Sequence, residues 1–253
     1  MTQWPTVALV GWIVLILVAE RLAPAEARPR DNLARIGRNL VLALLALAVA
    51  PGLLWMAGSL GATSGGVLPL DRWLGATATL LVSLLMLDLW TYGLHRAYHR
   101  VAWMWRLHAP HHLDQHLDVT SAFRFHVFEI MWSGVLRLIP ALAFGITAPT
   151  LLLFETLLIA SAVFHHSNLR LPRIVEQTLG WVVVTPSMHR MRHHRHQRDT
   201  DSNYTAILSV WDGLFGSHNP RRWEVGMEIG IEGEDERSLP SLLRYPLSRA
   251  TMR

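Results

Sequence analysis

Thirteen of the fourteen histidines in this 253-residue chain fall between His95 and His196. Three groups stand out. His95 and His99 are four apart, about 40° from each other on one helix face. His108, His111 and His112 fall at i, i+3 and i+4, and Pro110 among them points to a helix start. His189, His193 and His194 repeat the i, i+4 pair. His166, within His165-His166-Ser167-Asn168, adds a further candidate ligand. Imidazole serves iron, zinc and copper alike, so ligand type alone does not choose the metal. A tetrahedral zinc takes four ligands, whereas eight or nine imidazoles are enough for two metals. The chain has no Cys, which excludes thiolate metal sites, iron–sulfur clusters, disulfides and a Cys nucleophile. No ferritin-like Glu-x-x-His ligand pattern and no His-Glu-x-x-His peptidase motif occurs. Asp88, seven residues before His95 and on nearly the same face, is expected to orient an imidazole. His116, His196 and His218 read as surface or hydrogen-bonded residues. His126 and His165 are left open.

The elements that position these groups are apolar. Hydrophobic residues make up 51% of the chain and charged ones 17%, against about 25% charged in a soluble domain. All 23 basic residues are Arg and the formal net charge is +4. Thr6 to Ala19 reads as an uncleaved membrane helix and not a signal peptide, with a buried soluble helix as the alternative. Leu40 to Leu60 is a second run, with Pro51 as a kink. Leu74 to Leu94, broken only by Asp88, reaches roughly 31 Å, close to the thickness of a hydrocarbon core. Val127 to Val163 is interrupted by Glu129, Arg137, Pro140, Pro149 and Glu155. It suits a helical hairpin that enters and leaves on one side; one long span is the alternative, against which the prolines argue.

The expected fold is therefore all-α: an integral membrane bundle of three spans plus a same-side hairpin, with a cytoplasmic His-rich helical cap. Three parts follow: membrane helices in 1–73, a His-rich catalytic part in 74–220 and a polar tail in 221–253. Arginine bias puts the loop with Arg28, Arg30, Arg35 and Arg38, and the segment with Arg96, Arg100 and Arg106, in the cytoplasm. Met1 is then outside, and Arg253 and all the His groups inside. The Arg-rich stretch after Leu169 reads either as a face for anionic headgroups or as a solvated surface. The acidic stretch Glu228 to Glu236 reads as a solvated tail, with a docking site for a basic partner as the alternative. No nucleic-acid motif is visible.

The order His-x-x-x-His, His-x-x-His-His, His-x-x-x-His-His resembles the fatty acid hydroxylase/sterol desaturase superfamily of membrane oxygenases. Arg124-Phe125-His126, His166-Ser167-Asn168, Thr185-Pro-Ser-Met-His189, Asp201-Ser-Asn203-Tyr204 and Trp211-Asp212-Gly-Leu-Phe215-Gly216 extend the likeness over about residues 75–220. Val127 stands where many relatives have Pro. The resemblance implies a non-haem di-iron centre that activates O₂. Its ligands, carried over by position, are His95, His99, His108, His111, His112, His189, His193 and His194, with His166 as a ninth. Asp88, Asp118, Asp201 and Asn203 are implied as supports of those ligands. Zinc can replace iron on purification.

The implied activity is oxidation of an unactivated C–H bond in a membrane lipid, giving an alcohol by oxygen transfer or an alkene by loss of a second hydrogen. The substrate class spans sterol- or hopanoid-like molecules, fatty acyl chains, ether lipids and similar compounds. No flavin or haem motif is visible, so a separate ferredoxin or cytochrome-like donor is expected. A bacterial inner membrane is the expected location. Two other classes remain open on the residues alone: a metal-dependent membrane hydrolase using metal-activated water, and a non-catalytic membrane protein that binds metal.

Overall fold

The computed structural model describes residues 4–248, which are all-helical, with three isolated bridges. Helices α1 (Trp4–Leu22), α2 (Asn32–Ser64) and α3 (Ala76–Arg100) are followed at once by α4 (Ala102–His112). Next come α5 (Val127–Leu136), α6 (Leu138–Phe144) and α7 (Ala148–His166). The remaining helices are short: α8 (Arg173–Leu179), α9 (Pro186–Arg192), α10 (Gln197–Thr200), α11 (Val210–Leu214) and α12 (Leu239–Arg244). The positions of Met1 and Arg253 lie outside the described residues.

Among the described residues, five stretches are long and apolar enough to cross a membrane: Pro5–Leu22, Asn32–Ser64, Ala76–Arg100, Val127–Phe144 and Ala148–His166. The last two are the arms of the expected hairpin. Helices α5 and α6 run one after the other, broken at Arg137, and α7 returns. Gly145, left-handed at φ 69°, ends α6, and Pro149 sits in the first turn of α7, where its missing N–H costs no helical hydrogen bond. Arg137 and Glu155 pair across the hairpin, so neither arginine nor carboxylate faces lipid uncompensated. At the turn, Leu68 N–H donates to Ala143 O (2.7 Å), tying the end of α2 to the hairpin. Gly58 of α2 lets α7 approach closely, since a Cβ there would stand 2.3 Å from Ala148 Cα.

Helix α2 has 33 residues, roughly 50 Å and more than a bilayer core requires. Its first turns accordingly belong to a polar cap. Arg35 pairs with Asp114 (3.0 Å) and with Asp118, and Asn39 donates to Asp114 (3.1 Å). Arg124 donates to Asn39 Oδ1 (3.1 Å) and pairs with Glu236 (2.7 Å). The acidic segment is therefore drawn onto the cap at Glu236, while Glu228 and Glu232 stay exposed. Beyond it, Leu242 and Tyr245 are buried against Leu42, Trp105, Ala109 and Leu113. Those apolar side chains, and not the acids before them, decide that this stretch packs and does not trail as a solvated tail. Pro110 likewise lies inside the end of α4 and not at a helix start.

Candidate metal centre

Two sets of four histidines converge. His95, His99, His108 and His112 each offer a ring nitrogen within 4.8 Å of the others, and so do His111, His166, His189 and His193. The first set joins the end of α3 to α4. The second joins α4 to the end of α7 and to α9. Helix geometry explains why α4 serves both: His108 and His112 are about 40° apart on the helix, whereas His111 and His112 are about 100° apart and face different ways. The sets share a wall, with the His112 and His193 rings stacked 4.3 Å apart and His108 and His111 at 5.1 Å.

The hydrogen bonds around the rings fit metal ions. His108 Nδ1 donates to Glu129 Oε1 (2.7 Å), His111 Nδ1 to Arg124 O (3.2 Å) and His166 Nδ1 to Ala162 O (2.8 Å). Each bond fixes a tautomer with a lone pair on Nε2. Yet Nε2 of His111 faces Nε2 of His166 at 3.2 Å, and Nε2 of His108 faces Nε2 of His112 at the same distance. In the His111–His166 pair two lone pairs are turned on each other, which suits a cation between them. Nitrogens bound at about 2.1 Å stand at most about 4.2 Å apart, so a small contraction of each set would complete it. Burial also holds His111, His112, His189 and His193 well below the usual imidazole range. They are therefore neutral, as ligation requires.

Arg192 lies between the sets, 1% exposed. It donates to Asn203 O (2.8 Å) and Thr205 O (3.2 Å), touches His189, and lies 3.4 Å from His95 Nδ1. Burial pushes its guanidinium down to about 9, which still leaves it charged at neutral pH.

Not every expected residue joins the sets. His194, adjacent to His193, turns away and meets Asp199 at 3.2 Å. His165 packs on the His189 ring at 4.1 Å without entering a set. His126 caps α5 and reaches Leu243 O (3.2 Å). His116 is buried, while His196 and His218 are exposed. Among the expected supports, Asp201 lies 3.5 Å from His99 Nδ1. Asp88 instead accepts from Trp211 Nε1 (2.8 Å) and Leu208 N–H (3.2 Å). It is taken up by the packed 208–211 segment, not by His95. Asp118 serves Arg35 and Thr120. Asn203, left-handed at φ 50°, donates to Met188 O and holds Arg192 through its carbonyl. Two residues were missed. Glu129 could have been found as an acid in an apolar run that needs a partner. Arg192 was hidden among arginines read as a polar face.

The fatty acid hydroxylase family model matches residues 80–217, which include every member of both sets. The chain belongs to the fatty acid hydroxylase family. With its five apolar helices, it is an integral membrane protein. It is 29% identical over 180 residues to the ornithine lipid hydroxylase OlsE of Rhizobium tropici, covering 71% of this chain and 53% of that protein. It is 29% identical over 149 residues to the alkylglycerol monooxygenase of Xenopus tropicalis, 57% of this chain and 31% of that one. A very-long-chain aldehyde decarbonylase of Oryza sativa is also 29% identical, over 58% of each chain. The chain thus spans about half, or less, of the length of the first two relatives. No solved structure matches it.

Proposed function

We propose that the protein is an O₂-dependent di-iron oxygenase that hydroxylates or desaturates a C–H bond of a membrane lipid. The observation that carries this reading is the adjacency of two four-imidazole sets, with no carboxylate in either, at the ends of apolar helices. His95, His99, His108 and His112 would hold one iron, and His111, His166, His189 and His193 the other. Bound iron supplies the reductive activation of O₂. Glu129 and the carbonyls of Arg124 and Ala162 keep the Nδ1 protons of His108, His111 and His166 and so aim their Nε2 lone pairs inward. Arg192 sets a fixed positive charge beside both sets, where negative charge would develop. Electrons would come from a separate ferredoxin or cytochrome-like donor. The arginine bias favours His sets facing the cytoplasm, in a bacterial inner membrane.

The relatives are named for hydroxylation of ornithine lipids and oxygenation of alkylglycerols. Those names favour a lipid substrate, and an oxygenase over a hydrolase or a metal store. The family match at residues 80–217 supports a catalytic part near 74–220. Comparative lipidomics of cells with and without the gene tests the reading. Lipids carrying one more oxygen, or two fewer hydrogens, only when the gene is present are the expected result. Identical lipid profiles in aerated, iron-replete cells would contradict it.

A further inference from the structure

A cavity of about 1350 Å³ opens beyond the end of α7, walled by α8, α9, α11 and residues 218–225. None of the eight histidines lines it, although Met188 and Arg190, the neighbours of His189, do. Its lining carries five arginines against Glu176 and Glu224. At its wall stands Arg190, 1% exposed. Its Nη2 donates to Leu117 O (3.2 Å), Ser167 O (3.3 Å) and Asn168 Oδ1 (2.9 Å), all neutral acceptors. Its Nε and Nη1 have no hydrogen-bond partner among the described residues. Trp223, whose ring centroid lies 5.0 Å from the Arg190 guanidinium, has a buried Nε1 in the same condition.

Arg35 and Arg124 show the contrast, since each is buried and each meets a carboxylate. Glu20, Glu26, Asp118 and Glu176 offset the Arg190 charge through space. Among the described residues none of them is bonded to it. Unmet donors on a buried cation are costly, and an anionic oxygen group would satisfy them. The surroundings suggest where that group comes from. Trp181 and Leu214 line the cavity and are 83% and 68% exposed, and Ile174 on the neighbouring α8 is 70% exposed, just past the end of a membrane-length helix. Exposed Trp and aliphatic side chains beside arginines suit the layer between headgroups and acyl chains.

We propose that this cavity binds the anionic oxygen group, phosphate or carboxylate, of a membrane lipid headgroup. Arg173 and Arg222 at the rim and Arg190 with Trp223 at the wall supply the donors, and Trp181, Ile174 and Leu214 rest in the interfacial layer. The site does not depend on the metal chemistry proposed above, because its test reads binding alone.

The test uses full-length protein purified in neutral detergent. It is titrated separately with dioctanoyl phosphatidic acid, dioctanoyl phosphatidylcholine and inorganic phosphate, and thermal unfolding is followed. Phosphatidic acid should stabilise saturably and bind about tenfold or more tightly than either other probe. The R173Q/R222Q double variant, altered only at exposed side chains, should lose about tenfold in that affinity. Trp223→Phe, which keeps an aromatic ring and removes the N–H, should weaken it less. Equal affinity for inorganic phosphate would overturn the lipid source. An equal response to phosphatidylcholine would overturn recognition of the anion. Tight binding unchanged in both variants would overturn the location, and no saturable binding would overturn the proposal outright.

Discussion

Glu129 on α5 and His108 on α4 share a hydrogen bond of 2.7 Å between Oε1 and Nδ1. Through it, an acid placed in an otherwise apolar helix fixes the tautomer of a histidine in the first set. Glu129→Ala is expected to lower metal affinity or turnover roughly 10–100-fold, the usual effect of losing the partner of a metal-bound imidazole. Glu129→Gln, whose amide oxygen still accepts, should recover part of the loss. Metal content at graded chelator strength, measured on both variants, separates this positioning role from general damage. A merely structural Glu129 would leave the content of folded protein unchanged.

His193 and His194 are neighbours in sequence with different surroundings. His193 belongs to the second set, and His194 faces Asp199. His193→Ala should lose one metal per chain, whereas His194→Ala should keep both. Elemental analysis of the two purified variants checks this directly, and equal losses would show that the His194 ring turns inward on metal binding.

Asp88 holds Trp211 and the Leu208 amide against α3. Asp88→Ala is therefore expected to lower thermal stability by about 1–3 kcal/mol, the cost of leaving buried donors unpaired. Iron per folded molecule should stay normal. Loss of iron without loss of stability would put Asp88 back beside the histidines.

The positions of the histidine groups were legible because an i, i+4 pair on a helix shares a face whatever the tertiary structure. The hairpin was legible from prolines and charges at spaced points of one apolar run. The partition into two sets was not. Adjacent histidines point about 100° apart on a helix, so His111-His112 and His193-His194 each split according to which helices flank them. The burial of Arg190 and Arg192 was also hidden, since their acceptors are carbonyls of distant loops. The packing of Leu242 and Tyr245 escaped notice because the acids before them suggested a solvated segment.

His116 supplies a pH test outside both sets. Burial, with the Arg35 charge behind it, holds its imidazole down to about 4, against an ordinary value of about 6.5. Between those values the unfolded chain binds more protons than the folded one. Stability should therefore fall as pH drops through that window, by on the order of 3 kcal/mol at most. His116→Gln should flatten this part of the curve. Unfolding midpoints measured from pH 7 to pH 4 for both proteins check it; parallel curves would assign the acid sensitivity elsewhere.

In the proposed function, eight histidines hold a pair of metal ions. The most direct test of that arrangement is the metal-to-protein ratio of folded, full-length protein purified with iron supplied under reducing conditions. Saturation at two ions per chain is expected, with zinc able to take the place of iron at imidazole sites. Saturation at a single ion in a well-folded sample would contradict it.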